Sequence, residues 1–201
     1  RASIEALSEA RADFEPRTLL DIGAGPGTML WATVDRWPEL KKAVLLEASA
    51  SARRLGEAMA AHAMPTGVTW MAGDATIDLT ELEPADLVSA AYVLDEIIPA
   101  SLPKLIDGLW RLTADMLLIV EPGTPAGWQR ILAARRQLIE AGAHVLAPCP
   151  HEAPCPLIQP DWCHFSRRVA RSRLHRLTKD AEVPWEDEKF IYLAASRHQT
   201  D

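Results

Sequence analysis

The chain has 201 residues, 48% of them hydrophobic and 24% charged, and a net charge of −7. That is enough to bury one core without staples, and it is the balance of a globular protein rather than a disordered tract. No apolar run reaches the roughly 20 residues that cross a bilayer, the acidic total argues against non-specific nucleic-acid binding, and three cysteines point to a reducing compartment rather than a disulfide framework.

In chain order, RASIEALSEARADF lacks the apolar centre of a signal peptide and reads as the tail of an amphipathic helix. Its start at Arg rather than Met points to a fragment or a processed form. TLLDIG (18–23) is an apolar run closed by glycine, a buried strand, and PGTMLWATVDRW (26–37) has helical spacing. KAVLLEA (42–48) is a second strand, after which Ser49 caps a helix to about Ala63. GVTWMAG (67–73) and ADLVSAAYV (85–93) are strands, LPKLIDGLWRL (102–112) a helix and DMLLIVEP (115–122) a fifth strand. Thr124 and Pro125 open a further helix that Gly142 ends. Apolar strands alternating with helices predict an α/β fold, a doubly wound and mostly parallel Rossmann-like sheet whose ligands bind at the carboxyl ends of the strands.

Beyond Gly142 the alternation stops. Residues 143–185 are rich in Pro, Cys, His and Arg, and EDEKFIYLAAS (186–196) returns to strand character. The expected organisation is therefore the end of an upstream helical region (1–17), a cofactor-binding core (18–142), a Cys-rich basic insertion (143–185) and a returning strand that is cut short (186–201).

LLDIGAGPGT places Gly23, Gly25 and Gly27 in a GxGxG pattern between a strand and a helix, with Asp21 just ahead. Dinucleotide folds more often carry GxGxxG. The tighter pattern resembles motif I of the class I S-adenosylmethionine-dependent methyltransferases. Glu47, at the end of the second strand, stands where an acid can accept hydrogen bonds from both ribose hydroxyls. Gly73–Asp74 stands where this class often reads the adenine amino group. A nicotinamide or flavin cofactor is the competing reading, and Asp21, Glu47 and Asp74 could each serve only to cap a turn. After the fourth strand comes AAYVLDEI (90–97), without the Asn/Asp-Pro-Pro-aromatic tetrad of enzymes that methylate base amino groups. Tyr92, Asp95 and Glu96 are there instead. Tyr92 is a cofactor-site candidate or a packing residue, and Asp95 and Glu96 could cap the next helix. No catalytic residue emerges, and whether the chain is an enzyme stays open.

All three cysteines fall in APCPHEAPCPLIQPDWCHF (147–165), as Cys149-x5-Cys155-x7-Cys163 with five prolines among them. This is neither the CxxC of a zinc ribbon nor a ferredoxin run. A proline-stiffened loop with three thiols nonetheless suits a soft metal, with His144, His151 and His164 as nearby candidates for a fourth ligand. Buried small hydrophobes are the alternative. Between Asp161 and Lys179 the charge is +5, leaving −12 over the rest. Arg167, Arg168, Arg171 and Arg173 are candidate phosphate contacts, and Trp162 and Phe165 offer rings for base stacking, unless the arginines are a solvated helix face and Trp162 packs inward.

PCPHEAPCPLIQPDWCHFSRR, EDEKFIYLAASR, LLDIGAGPGT and VEPGTPAGWQRI together resemble the small-ribosomal-subunit methyltransferase-like family, which includes mitochondrial ribosome-assembly proteins and bacterial relatives. The likeness runs from about Thr18 to Arg197. It implies a class I methyltransferase fold that binds S-adenosylmethionine, and work with the small ribosomal subunit and its RNA in ribosome maturation and translation. The compartment it implies is the mitochondrial matrix in a eukaryote or the cytoplasm in a bacterium. It also implies a [4Fe-4S] cluster on Cys149, Cys155 and Cys163, with zinc as the alternative. The family's fourth cluster cysteine lies beyond the EDEKF strand, where this chain offers none. An RNA methyltransferase, a non-catalytic assembly factor with a structural or redox-sensing cluster, and a small-molecule methyltransferase remain the three readings.

Overall fold

Four of the five residues of Thr18–Ile22 (β1) are buried, because the strand lies inside a sheet covered on both faces. A computed structural model describes residues 1–61, 67–75, 79–171, 178 and 183–199. Before β1 comes helix α1 (Ala2–Ala10), and after it α2 (Thr28–Arg36), β2 (Lys42–Glu47), α3 (Ala50–Ala60), β3 (Val68–Ala72) and β4 (Ala85–Ala91). Two short 3₁₀ turns (Leu94–Glu96 and Pro99–Ser101) lead into α4 (Leu102–Leu112), β5 (Thr113–Pro122) and α5 (Pro125–Glu140). The chain continues through β6 (His144–Ala147), β7 (Phe165–Ala170) and β8 (Trp185–Ser196).

The strands form one sheet in the order β3-β2-β1-β4-β5-β8-β6, with β7 also paired to β8. β1 to β5 run parallel. β8 runs against β5 on one edge and against β6 and β7 on the other. Alternate residues feed opposite cores, as the two-residue period of a strand requires. Leu20 and Ile22 join Leu109, Leu117 and Ile131 on one face, and Leu19 joins Ile4, Leu30 and Leu118 on the other.

The predicted α/β fold and its five strands are present, and the predicted helix over 102–112 has those bounds. Thr124 caps α5, its hydroxyl accepting the N–H of Gly127 at 3.1 Å. One expectation changes. The segment 143–185 is not a pure insertion, because β6 and β7 belong to the sheet. The returning strand, β8, is flanked by β5, β6 and β7. FSRRVA reads as a charged stretch in isolation, yet its register sets Arg168 against Asp187 and Arg167 against Glu188. Opposite charges across a ladder favour that pairing.

Candidate functional site

Gly23, Gly25 and Gly27 all adopt positive φ (68°, 54° and 90°), a region that costs L-residues about 1–2 kcal/mol. A Cβ on Gly23 would lie 2.4 Å from Cγ2 of Val93, so a side chain there would displace Val93 as well as strain the backbone. A Cβ on Gly25 would meet no protein atom within 4 Å, because the loop there faces open space. Gly23 and Ala24 donate their N–H groups to the Leu46 carbonyl at 2.8 and 3.1 Å, and Gly25 donates to Oε2 of Glu47 at 2.8 Å. Oε1 of Glu47 accepts the N–H of Ser49 at 2.6 Å. Glu47 therefore ties the glycine turn to the start of α3.

Over this turn, at the carboxyl ends of β1 and β4, opens a cavity of about 560 Å³ lined by Asp21, Gly23, Gly25, Tyr92, Arg167 and Phe190 among others. That volume lies within the usual range for small-molecule sites. Of the predicted cofactor residues, Asp21, Gly23, Gly25 and Tyr92 share its lining, whereas Gly27, Glu47 and Asp74 lie outside it. Asp74 is exposed just beyond β3. A smaller cavity of about 200 Å³ sits at the opposite, amino ends of the strands, beside Thr18, Lys42 and Pro84.

Asp21 is 1% exposed. Its Oδ1 accepts the Ser89 hydroxyl at 2.6 Å, and its Oδ2 is buried with no partner. Burial drives its carboxyl up from 3.8 to about 7, against the Ser89 hydrogen bond and with help from the Glu47 charge. A buried acid short of one partner, on the floor of a cavity, has the chemistry to receive a cationic donor. Tyr92 holds φ 61°, rare for a bulky residue, and is 49% exposed. Its N–H bonds the Val120 carbonyl at 2.8 Å. Partial burial pushes its phenol upward, as do the charges of Glu188 and Glu121.

The loop after β4 is held by a residue absent from the sequence-based candidates. Glu121, at the end of β5, is 0% exposed. It accepts the N–H of Leu94 at 3.1 Å and Nε of Arg130 at 2.7 Å, and Arg130 also pairs with Asp95 at 2.5 Å. Burial raises the Glu121 carboxyl, with Arg130 opposing. Asp95 thus joins α5 to the loop rather than capping the following helix. The available signal was a lone acid closing the apolar run LLIVE.

Cys149, Cys155 and Cys163 are free thiols that line one cavity together with His151, Trp128 and Tyr192. Its volume is about 40 Å³, room for about one water. Burial raises the Cys163 thiol, as do its neighbours Cys149 and Cys155. Arg135 of α5 lines the same cavity and donates to the His151 carbonyl. His144 lies on β6 opposite Ser196, and His164 has a buried Nδ1 without a partner. Among the described residues, no three or more His, Cys, Asp or Glu side chains form a group that could hold a metal ion. Three thiols on one cavity are soft-metal donors in kind, but they are not closed on a single point as a tetrahedral zinc site requires.

The arginines are largely engaged by acids. Arg168 forks onto Asp187 at 2.8 and 3.0 Å and lies over the Trp185 ring at 5.5 Å. Arg171 forks onto Glu186 at 3.1 and 2.6 Å. Arg167 reaches Glu5 of α1 at 3.5 Å. Arg173 lies outside the described residues. The two rings expected to stack on bases are packed instead. Trp162 donates its indole N–H to the Gly123 carbonyl at 3.1 Å and stacks on His164, while Phe165 packs against Phe190 and Tyr192. The exposed aromatic of this region is Trp185. Among the described residues no helix is long and apolar enough to cross a membrane.

Comparison with known proteins agrees with this architecture. The family described as "Mitochondrial small ribosomal subunit Rsm22" matches residues 1–201. The human "Ribosome assembly protein METTL17, mitochondrial" is 31% identical over 179 residues, covering 81% of this chain and 39% of that protein. The chain therefore spans well under half the length of this relative. Among solved structures, the precorrin-6y C5,15-methyltransferase of Geobacter metallireducens GS-15 aligns with a TM-score of 0.63 at 16% identity, covering 98% of this chain and 87% of that one. The magnesium protoporphyrin IX methyltransferase of Synechocystis PCC 6803, solved with bound SAM, aligns with a TM-score of 0.61 at 14% identity, covering 98% and 78%. Both likenesses are to the class I methyltransferase fold.

Proposed function

This chain belongs to the Rsm22 family of small-ribosomal-subunit, methyltransferase-like assembly proteins, and from that premise we propose that it binds S-adenosylmethionine and works with small-subunit ribosomal RNA in ribosome assembly and translation. The observation that carries the cofactor reading is the cavity over the glycine turn, where Gly25 leaves free space and the buried Asp21 lacks a partner for Oδ2. Gly23, Gly25, Asp21 and Tyr92 line the space for the cofactor. Gly27 and Glu47 shape the turn beneath it, and Asp74 serves the adenine end. A bound sulfonium supplies an activated methyl group, so the protein's part in any transfer is to bind, orient and exclude water. Residues 18–142 are the cofactor-binding core, and 143–201 carry the thiols and the basic strand. In a eukaryote the place of action is the mitochondrial matrix, in keeping with the human relative's name, and in a bacterium the cytoplasm.

Transfer of a labelled methyl group to small-subunit RNA tests the enzymatic form of this reading. Product that disappears in Gly25→Arg supports it. Co-sedimentation with small subunits but no methyl transfer makes the chain an assembly factor.

The second reading, a non-catalytic assembly factor with a metal-bearing loop, is favoured by the three thiols on one cavity. In a polynuclear cluster each thiolate binds a different iron, so the sulfurs need not close on one point. Cys149, Cys155 and Cys163 would hold the [4Fe-4S] cluster, His151, which lines the same cavity, is a candidate for the remaining ligand, and the group would supply rigidity or redox sensing. Iron and acid-labile sulfide near four per chain after anaerobic purification support it (about the content of a four-iron cluster). Zinc in their place removes the redox role, and metal-free protein removes the clamp. Arg167, Arg168, Arg171 and Arg173 are the proposed contacts to RNA phosphates, the described three exchanging acid partners for phosphate.

A further inference from the structure

Two ionisable side chains of opposite charge reach the ligand cavity from different walls. Asp21 stands on the floor with its Oδ2 unpartnered. Arg167 comes from β7. Residues two apart on a strand share a face, and Arg167 and Val169 line the cavity together with Phe190 of β8. Arg168, of opposite parity, is outside the lining and is held by Asp187. The arginines thus divide by use. Arg168 and Arg171 fork onto acids, whereas Arg167 has one 3.5 Å contact with Glu5, and both of those side chains are well exposed (61% and 49%). Such a pair contributes little to stability and yields readily. Arg1, the other guanidinium in the lining, has a similarly exposed pair with Asp35 at 3.3 Å (73% and 61%), but it precedes α1 rather than standing on the sheet wall beside Phe190.

An unpartnered carboxyl oxygen and a loosely held guanidinium around one cavity match the two ends of an α-amino acid. We propose that Arg167 is a ligand-binding residue of this cavity: it leaves Glu5 and takes the α-carboxylate of the ligand's amino-acid end, while Asp21 receives the α-ammonium. Planar guanidinium recognises carboxylate through two parallel hydrogen bonds. The proposal rests on the reading that the cavity holds S-adenosylmethionine, and it moves Arg167 from the phosphate contacts to the cofactor site.

The test is calorimetric titration of the full chain with S-adenosylmethionine and with its decarboxylated analogue, which lacks only the carboxylate. The wild type is expected to prefer the carboxylated ligand by about tenfold or more, the range of a charge-assisted pair. Arg167→Met is expected to bind both ligands equally, at the wild-type affinity for the analogue, which also shows that the cavity is intact. Glu5→Gln keeps the preference. Equal binding of the two ligands by the wild type overturns the proposal. So does a preference that survives in Arg167→Met, or one that vanishes in Glu5→Gln, which would trace the effect to the tether on α1. If the wild type binds neither ligand, the cofactor reading falls and this proposal with it.

Discussion

Phe190 and Tyr192 lie on one strand with ring centroids 6.1 Å apart, yet they line different cavities. Phe190 lines the one over the glycine turn and Tyr192 the one with the three thiols. Phe165, two residues after Cys163, packs on both rings at 5.9 and 5.2 Å. One aromatic group therefore forms part of the wall between the two candidate sites. Replacing Phe165 with Ala is expected to cost about 2 kcal/mol, below the range for a fully buried ring, as read by chemical denaturation. Unchanged stability would show that the ring is not part of the core.

Gly23 and Gly25 differ in what a side chain would meet. Gly23→Ala drives a Cβ against Val93 at positive φ and is expected to cost about 3 kcal/mol or more. Gly25→Ala bears only the backbone term of about 1 kcal/mol, but its methyl group enters the cavity. Denaturation midpoints should separate the two variants, and ligand affinity should fall in Gly25→Ala although it stays folded.

Asp21 gives stability a pH dependence of unusual sign for a carboxylate. Its carboxyl titrates near 7 in the fold and 3.8 as its ordinary value. The folded state therefore binds the proton more tightly across that window. Its stabilising contribution is complete below about pH 4 and is lost as pH rises through 7, a change of about 4 kcal/mol. Denaturation of Asp21→Asn between pH 4 and 8 should lack this slope. A slope of equal size in the variant would assign it to another group.

Arg130 neutralises the buried Glu121 and reaches Asp95 on the loop after β4. Arg130→Ala leaves that carboxylate without its cation and is expected to cost about 3 kcal/mol. The cost should shrink as pH falls and Glu121 takes up a proton, which denaturation at pH 5 and pH 8 compares directly.

The parallel half of the sheet was legible because TLLDI and its fellow strands are apolar runs bounded by glycine and proline. Asp21 was legible because it lies two residues before the first glycine of the turn. β6 and β7 were not, since HVLA is short and FSRRVA sets two adjacent arginines in its middle, without apolar alternation; only the acids of β8 across the ladder make that charge pattern a strand. The same acids explain why a local count of arginines overstated their freedom. Glu121 escaped notice because its partners, Leu94 and Arg130, come from other elements. Chain-local reading sees the residue types of a site, but not which ones tertiary pairing has already used.

Equilibrium dialysis of the purified chain against labelled S-adenosylmethionine, beside Gly25→Arg matched for fold by circular dichroism, tests the central claim most directly. The account predicts one bound cofactor per wild-type chain and none in the variant, whose side chain fills the space that Gly25 leaves open. A folded wild type that binds no cofactor, or a variant that binds it equally well, would contradict it.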